Sequence, residues 1–243
     1  MAQDEVSFKL VDNGESRRLR FHDYAEIYKR PGLYEELFYG RLRCNSPGKV
    51  MELLERALQT AREPLTELRV LDLGAGNGMM GDVLKRECVA RLVGVDIVPE
   101  ARDAAYRDRP TVYDAYYVAD LGNDDSGLRD ELNEWNFDCL TCVAALGFGD
   151  IPPRAFFNAI RLIQPNGWLA FNIKHSFLDT SEQTGFSRLV RALILSKYLD
   201  IYHLELYRHR LSMEGTQLFY YASVGRLTAP LPDDFLETHE IKE

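Results

Sequence analysis

Short, continuously apolar segments that alternate with amphipathic stretches are the feature that most constrains the fold of this chain. The apolar segments predict five strands: Arg69 to Gly74, Arg91 to Val98, Asp114 to Asp120, Phe137 to Leu146 and Gly167 to Lys174. Strands this apolar are covered on both faces, which is typical of a parallel sheet. The alternation therefore predicts a doubly wound, Rossmann-like α/β sheet with right-handed crossovers. Its ligand crevice is expected beyond the carboxyl ends of the strands.

The last quarter of the chain breaks this alternation. IYHLELYRHRLS and LFYYASVGRLT are joined by MEGTQ, a pattern that predicts an antiparallel hairpin. With this hairpin the sheet has seven strands and is mostly parallel. The cluster Arg208-His209-Arg210 is expected on a solvated strand face because side chains alternate along a strand. Contact with an anionic substrate is the alternative.

The chain is predicted to divide into three parts. Residues 1–45 form an N-terminal tail and helical lid, 46–230 the Rossmann-like domain and 231–243 a C-terminal tail. Ser46-Pro47 begins a helix well, with serine as the N-cap and proline in the first helical position. Polar and charged residues dominate the first twenty positions, which are therefore expected to be mobile.

Charge and composition limit the partners. The net charge of −9 over 243 residues argues against a surface that neutralises nucleic-acid phosphates, so we predict no nucleic-acid partner. No apolar run approaches the roughly 20 residues that span a bilayer, and the N-terminus lacks the apolar core of a signal peptide. We expect a cytoplasmic protein with no membrane contact.

Cys139 and Cys142 resemble a CxxC redox or metal motif. On a strand, however, they lie about 10 Å apart on opposite faces, which excludes a bridge between them. We predict buried core thiols and no metal site.

A glycine loop, LDLGAGNGMM from Leu71 to Met80, follows the first strand. Gly74, Gly76 and Gly78 permit a tight turn and a close approach of a ligand to the backbone. Counting from Gly74, the dinucleotide fingerprint GxGxxG requires a third glycine where Met79 stands. A P-loop is excluded because no Gly-Lys-Ser/Thr follows.

Three aspartates limit the kind of ligand that the glycine loop is expected to bind. Asp72 is expected to face the crevice, where it would repel a pyrophosphate and attract a cation. Asp96, twenty residues after Gly76, is placed to accept hydrogen bonds from ribose hydroxyls, and Asp120 is placed to accept from an adenine amino group. The alternatives are that Asp72 only bonds loop amides and that Asp96 and Asp120 are ordinary turn residues.

In their order along Arg69 to Leu227, VLDLGAGNG, VGVDI, VADL, FDCLTCVAAL and PNGWLAF resemble the motifs of class I S-adenosylmethionine-dependent methyltransferases. The resemblance implies S-adenosyl-L-methionine as cofactor and S-adenosyl-L-homocysteine as product. It assigns the ribose to Asp96, the adenine face to Ile97 and the amino group to Asp120. It assigns the methionine portion to the loop formed by Gly74, Ala75, Gly76, Asn77 and Gly78. Leu121 and Val143 are expected to complete the cofactor site.

A looser resemblance, carried by YAEIY and ALGFGDIPPRAFFNAIRLIQPNGWLAFNIK, is to the Williams–Beuren-region methyltransferase-domain proteins. The Asn-Pro-Pro-Tyr or Asp-Pro-Pro-Tyr typical of amino-methylating enzymes of the class is missing after the fourth strand. Ala145-Leu146-Gly147-Phe148 stands in its place, so methylation of nucleobase amino groups is disfavoured.

Methyl transfer needs few catalytic side chains, because the sulfonium is already electrophilic. His175, just past the fifth strand, is the candidate general base, and packing or loop capping is its alternative role. Tyr24 and Tyr28, one helical turn apart, are expected to cover the cofactor and to stabilise its cation. Their alternative role is to pack the N-terminal segment onto the core.

We predict a small-molecule methyltransferase that acts by in-line attack on the sulfonium methyl. Its acceptor pocket is expected between the N-terminal helices, the loop near Phe148 and the segment from Ser176 to Phe186. The alternatives are a protein-modifying methyltransferase, a non-catalytic binding domain that keeps the cofactor fold and, disfavoured by Met79, an NAD-dependent oxidoreductase. The residues leave the acceptor atom, the pathway and the oligomeric state open.

Overall fold

A computed structural model describes residues 7–12, 15–146, 151–178 and 185–241. Its strands are β1 Ser7–Asp12, β2 Glu15–Arg20, β3 Arg69–Leu73, β4 Arg91–Asp96, β5 Ala115–Val118, β6 Phe137–Cys142, β7 Ile163–Lys174, β8 Leu199–Leu211 and β9 Gln217–Leu227. Its α-helices are α1 Tyr24–Tyr28, α2 Ser46–Ala61, α3 Met79–Arg86, α4 Pro99–Asp108, α5 Ser126–Asn133, α6 Pro153–Arg161, α7 Gly185–Leu195 and α8 Phe235–Thr238. A π-helix covers Glu35–Arg41, and short 3₁₀ turns cover Leu65–Glu67 and His175–Leu178.

The main sheet has seven strands in the order β5-β4-β3-β6-β7-β9-β8. Strands β3 to β7 pair in parallel, and β9 pairs antiparallel with both β7 and β8. The predicted fold class and closing hairpin are thereby confirmed. The strand order reverses beside β3, between β4 and β6, so the crevice lies at the carboxyl ends of these strands.

Helices cover both faces of this sheet. One face packs on α2 and α3, and the other on α5, α6 and α7. Cys139 lies in the first of these cores and Cys142 in the second, and both are fully buried. The prediction of two core thiols on opposite faces of one strand is confirmed. No helix in the described ranges is long and apolar enough to cross a bilayer.

Both ends of the chain hold more structure than expected. Strands β1 and β2 form an antiparallel hairpin where a mobile tail was predicted, and Phe8 packs edge-on against Phe21. Near the C-terminus, Phe235 of α8 is 1% exposed and stacks on Phe157 of α6. In both cases a few apolar residues within a polar segment supply the packing.

Candidate functional site

A cleft of about 220 Å³ opens at the carboxyl ends of β3, β4 and β6, where the reversal in strand order places it. Its walls come from the turns after β3, β4, β5 and β6, from α1 and the segment that follows it, and from the start of α6. Seventeen described residues line it: Tyr24, Tyr28, Tyr34, Leu73, Gly74, Asp96, Ile97, Val98, Ala119, Asp120, Leu121, Val143, Ala144, Ala145, Ile151, Pro152 and Ala155. The lining is mostly apolar with a few polar groups, as is usual for small-molecule sites.

The glycine loop turns sharply from β3 into α3. Gly76 has a φ of 55°, and a β-carbon there would lie 2.6 Å from the hydroxyl oxygen of Tyr28. Only glycine fits this backbone without strain or clash. Gly74 lines the cleft, whereas the other four loop residues assigned to the cofactor are buried in the loop itself: Ala75, Gly76, Asn77 and Gly78. Their contact with a ligand stays a prediction.

Asp96 lies at the end of β4 and lines the cleft. Its Oδ2 accepts from the amide of Gly76 at 2.9 Å, and its Oδ1 accepts from the amide of Val98 at 2.9 Å. Burial raises the pKa of this carboxyl, and the amide hydrogen bonds oppose that rise. The side chain is thus fixed between the glycine loop and its own turn, and each oxygen keeps a lone pair for a ligand.

The other residues predicted to bind adenine are beside Asp96. Ile97 is 59% exposed although it is apolar, and it forms part of the cleft wall. Asp120 accepts from the amide of Gly122 at 2.8 Å and from the side chain of Asn123 at 3.0 Å. Leu121 and Val143 are buried in the same wall. The structure thus brings Asp96, Ile97, Asp120, Leu121 and Val143 to one cleft.

Tyrosine rings cover the cleft on the side of the N-terminal segment. Tyr24 and Tyr28 both line it and stack with ring centroids 6.2 Å apart. Tyr34, not singled out from the sequence, packs 5.0 Å from Tyr28 and completes this wall. An aromatic repeat in YAEIYKRPGLY is the only sequence signal for Tyr34, and it does not distinguish a cleft residue from a packing one.

Asp72 departs from its expected place. It is 1% exposed, lies below the glycine loop and does not line the cleft. Its oxygens accept from the hydroxyls of Thr141 and Tyr113, each at 2.7 Å. Burial raises the pKa of Asp72 to about 6, against the opposing effect of these hydrogen bonds. The carboxylate therefore links β3 to β6 and to the loop before β5, in place of the ligand-facing role expected.

His175 lies outside the described cleft wall, and its role as a general base stays a prediction. It follows β7 as predicted, but it is exposed. Its Nδ1 lies 3.1 Å from the carbonyl oxygen of Phe219, so Nδ1 carries the proton of this hydrogen bond. The residue fastens the end of β7 to β9. Phe148 and residues 179–184 of the expected acceptor pocket lie outside the described residues.

A polar cluster joins the glycine loop to the N-terminal segment. Glu35 Oε1 accepts from Asn77 Nδ2 and from Arg109 Nη1, each at 2.8 Å. Glu35 Oε2 and Asn77 Oδ1 are buried and have no hydrogen-bond partner among the described residues. Two buried acceptors are thus left for a donor that the described chain does not supply.

Comparison with known proteins matches residues 42–213 to the model of a family described as a methyltransferase domain. A curated relative, the ubiquinone biosynthesis O-methyltransferase of Paracidovorax citrulli (strain AAC00-1), is 27% identical over 116 residues. This match covers 45% of the present chain and 44% of the relative, so less than half of the relative is spanned.

Solved structures share the fold at low sequence identity. N-methyltransferase NodS from Bradyrhizobium japonicum WM9, in complex with S-adenosyl-L-homocysteine, superposes with a TM-score of 0.56 at 13% identity, over 86% of this chain and 98% of NodS. Magnesium protoporphyrin IX methyltransferase (ChlM) from Synechocystis PCC 6803, with bound S-adenosylmethionine, superposes with a TM-score of 0.53 at 12% identity, over 84% and 94%.

Proposed function

We propose, from the premise that this chain belongs to the methyltransferase-domain family, that it transfers a methyl group from S-adenosylmethionine to a small-molecule acceptor. The observation that carries the proposal is the charge of the cleft. Asp96 and Asp120 line it, and no lysine or arginine is among the described lining residues. Two carboxylates suit a ribose, an adenine amino group and a sulfonium, whereas they would repel the pyrophosphate of a dinucleotide.

The residues of the cleft have separate roles in this proposal. Asp96, held by two backbone amides, keeps lone pairs for the ribose hydroxyls. The exposed side of Ile97 offers apolar surface to the adenine, and Asp120 accepts from its amino group. Outside the cleft lining, in the polar cluster beside the glycine loop, the buried Oε2 of Glu35 and Oδ1 of Asn77 are unpaired among the described residues and are acceptors that suit an ammonium group.

When bound, the cofactor supplies an electrophilic methyl group. The chain then has to align the acceptor and exclude water. Tyr24, Tyr28 and Tyr34 perform the second task because their rings cover the cleft, and aromatic faces beside a cation add cation–π attraction. No general base is assigned among the described residues, since His175 lies outside the cleft.

A small acceptor is supported by the aromatic wall that Tyr24, Tyr28 and Tyr34 form along one side of the cleft. The name of the curated relative refers to ubiquinone biosynthesis, which favours a small acceptor. A protein-modifying enzyme would need an open groove at this end of the sheet, and a net charge of −9 gives no attraction for nucleic acid.

Calorimetry with S-adenosyl-L-homocysteine tests the proposal. We expect binding by the wild-type chain and no binding of NADH. Asp96→Asn keeps the size of the side chain but replaces one acceptor by a donor, so we expect at least a tenfold weaker affinity, equal to about 1.4 kcal/mol. Asp103→Asn, an exposed aspartate on α4, is the matched control and should leave the affinity unchanged.

Two results would count against the proposal. Unchanged affinity in Asp96→Asn would remove the ribose assignment. Thermal stabilisation by NADH, without stabilisation by S-adenosyl-L-homocysteine, would favour the oxidoreductase alternative.

A further inference from the structure

The cluster Arg208-His209-Arg210 of β8 does not form the solvated face that strand alternation predicts. The pairing of β8 with β9 shifts register between Arg208 and Arg210, which marks a β-bulge with His209 as the extra residue. Arg208 stays exposed, whereas His209 and Arg210 are each only 5% exposed. The bulge thus turns two consecutive polar side chains inward.

These two side chains line a second cavity beside the cleft. Its volume is about 30 Å³, and it shares the residues Tyr24, Tyr34 and Ala144 with the cleft described above. A single water needs about 10–15 Å³, so the cavity accommodates a group of about two or three heavy atoms. It can hold the end of a molecule whose remainder lies in the cleft.

Arg210 has no carboxylate partner within the described part of the chain. Its Nη1 donates to the carbonyl of Leu211 at 3.0 Å, and its guanidinium carbon lies 5.1 Å from the ring centroid of Phe21. Neither contact neutralises its charge. A buried cation without a counter-charge is destabilising, because it has lost its hydration and gained no opposite charge.

The neighbouring titratable groups do not supply a negative charge. Burial raises the pKa of the Cys44 thiol and of the Tyr34 hydroxyl, which keeps both neutral near pH 7. Burial, with a smaller contribution from Arg210, lowers the pKa of His209 to about 3, so its ring is neutral as well. Among the described residues, Arg210 therefore gives the cavity a positive charge that none of these three groups balances.

A chain of buried hydrogen bonds fixes the tautomer of His209. The backbone amide of Ala144 donates to Asn172 Oδ1 at 2.7 Å, so the Asn172 amide nitrogen must face Tyr207, to which it donates at 3.0 Å. Tyr207 then donates to Ser46 Oγ at 2.7 Å.

Ser46 Oγ also accepts from Cys44 Sγ at 3.7 Å, so both of its lone pairs are occupied and its single hydroxyl proton is left for His209 Nδ1, which lies 2.6 Å away. Nδ1 is thus the acceptor of this bond, and Nε2 must carry the ring proton. His209 therefore adds a hydrogen-bond donor to a cavity that already holds the donors of Arg210.

We propose that this cavity is a subsite for a carboxylate of the methyl acceptor, bound by Arg210 and His209. The inference rests on the proposed function, since it places the rest of the acceptor in the adjoining cleft. A carboxylate accepts hydrogen bonds only, matches the planar fork of a guanidinium and fits the volume of the cavity. The acceptor class is accordingly a small organic acid.

Benzoate and benzamide form a matched pair of probes, because they have nearly the same shape and differ in charge. Each is titrated into protein saturated with S-adenosyl-L-homocysteine and followed by calorimetry. We expect benzoate to bind at least tenfold more tightly than benzamide. Arg210→Met should weaken benzoate binding at least tenfold, whereas Arg208→Met, which changes the exposed arginine of the same strand, should leave it unchanged.

The affinity for S-adenosyl-L-homocysteine reports whether each variant is folded. If Arg210→Met does not fold, Arg210→Lys keeps the charge and is expected to retain the preference for benzoate at a lower affinity. Equal binding of benzoate and benzamide would overturn the subsite. So would unchanged benzoate affinity in Arg210→Met. Absence of S-adenosyl-L-homocysteine binding in the wild type would instead refute the proposed function itself.

Discussion

Replacing Gly76 with alanine tests whether the N-terminal segment packs onto the glycine loop. The φ of 55° costs an L-residue about 1–2 kcal/mol. In addition, the new β-carbon would lie 2.6 Å from the Tyr28 hydroxyl, so that buried ring must move. Overpacking of this kind costs about 1–3 kcal/mol more. We expect Gly76→Ala to lower the free energy of unfolding by about 2–5 kcal/mol, measured by urea denaturation.

Gly32→Ala separates the cost of the positive φ from the cost of the clash with Tyr28. Gly32 has a φ of 72°, and a β-carbon there meets no atom within 4 Å. It therefore isolates the backbone cost of about 1–2 kcal/mol. Tyr28→Phe, combined with Gly76→Ala, removes the clashing oxygen and should restore about 1–3 kcal/mol of the loss. At this chain length 1 kcal/mol corresponds to about 2–4 °C in Tm, so thermal unfolding resolves the difference.

Two outcomes would refute this reasoning. One is an equal loss of stability in Gly76→Ala and Gly32→Ala. The other is a double variant, Gly76→Ala with Tyr28→Phe, that is no more stable than Gly76→Ala alone. Either result would mean that the Tyr28 hydroxyl does not contact Gly76. The aromatic wall of the cleft would then lie elsewhere than in the structure described above.

Two further substitutions test residues that were predicted to face the cleft but do not line it in the structure. The folded pKa of Asp72, about 6, exceeds its ordinary value of 3.8, so its ionisation destabilises the fold as pH rises from about 4 to 6. Between pH 4 and pH 7 the free energy of unfolding of the wild type should therefore fall by up to about 3 kcal/mol relative to that of Asp72→Asn, measured by urea denaturation. The same pH dependence in both proteins would contradict this. His175→Ala should keep methyl transfer from labelled S-adenosylmethionine within about threefold of the wild type, whereas loss of a general base would cost about 100-fold or more.

The fold could be predicted because its determinants are local. The continuous apolar character of segments such as FDCLTC requires cover on both faces, and this requirement by itself specifies a parallel sheet with helices on either side. The location of Asp96 and Asp120 at one edge of the sheet could also be predicted from the sequence, because the carboxyl ends of parallel strands share that edge. Their placement depends on the order of elements along the chain and needs no long-range detail.

The roles of Asp72 and Arg210 could not be predicted from the sequence, because the first depends on partners far away in the chain and the second on an irregularity in strand pairing. Asp72 turns inward because Thr141 and Tyr113 offer it two hydroxyls, and neither residue is near it in the chain. Arg210 turns inward because of a bulge, and strict alternation of side chains cannot anticipate an inserted residue. The β1–β2 hairpin was missed because its strands carry many charges and bury little apolar surface.

The two halves of the proposed site are built from different parts of the chain, which affects how each can change. The proposed cofactor side comes from turns after β3, β4 and β5, where Asp96 is tied to the glycine loop by a hydrogen bond. The acceptor side comes from α1, from the segment before α2 and from the β8–β9 hairpin. Ser46, Tyr207 and Asn172 link His209 through hydrogen bonds to the backbone amide of Ala144, which lines both the cleft and the smaller cavity. A substitution of Arg210 can therefore alter the acceptor while the cofactor affinity is retained.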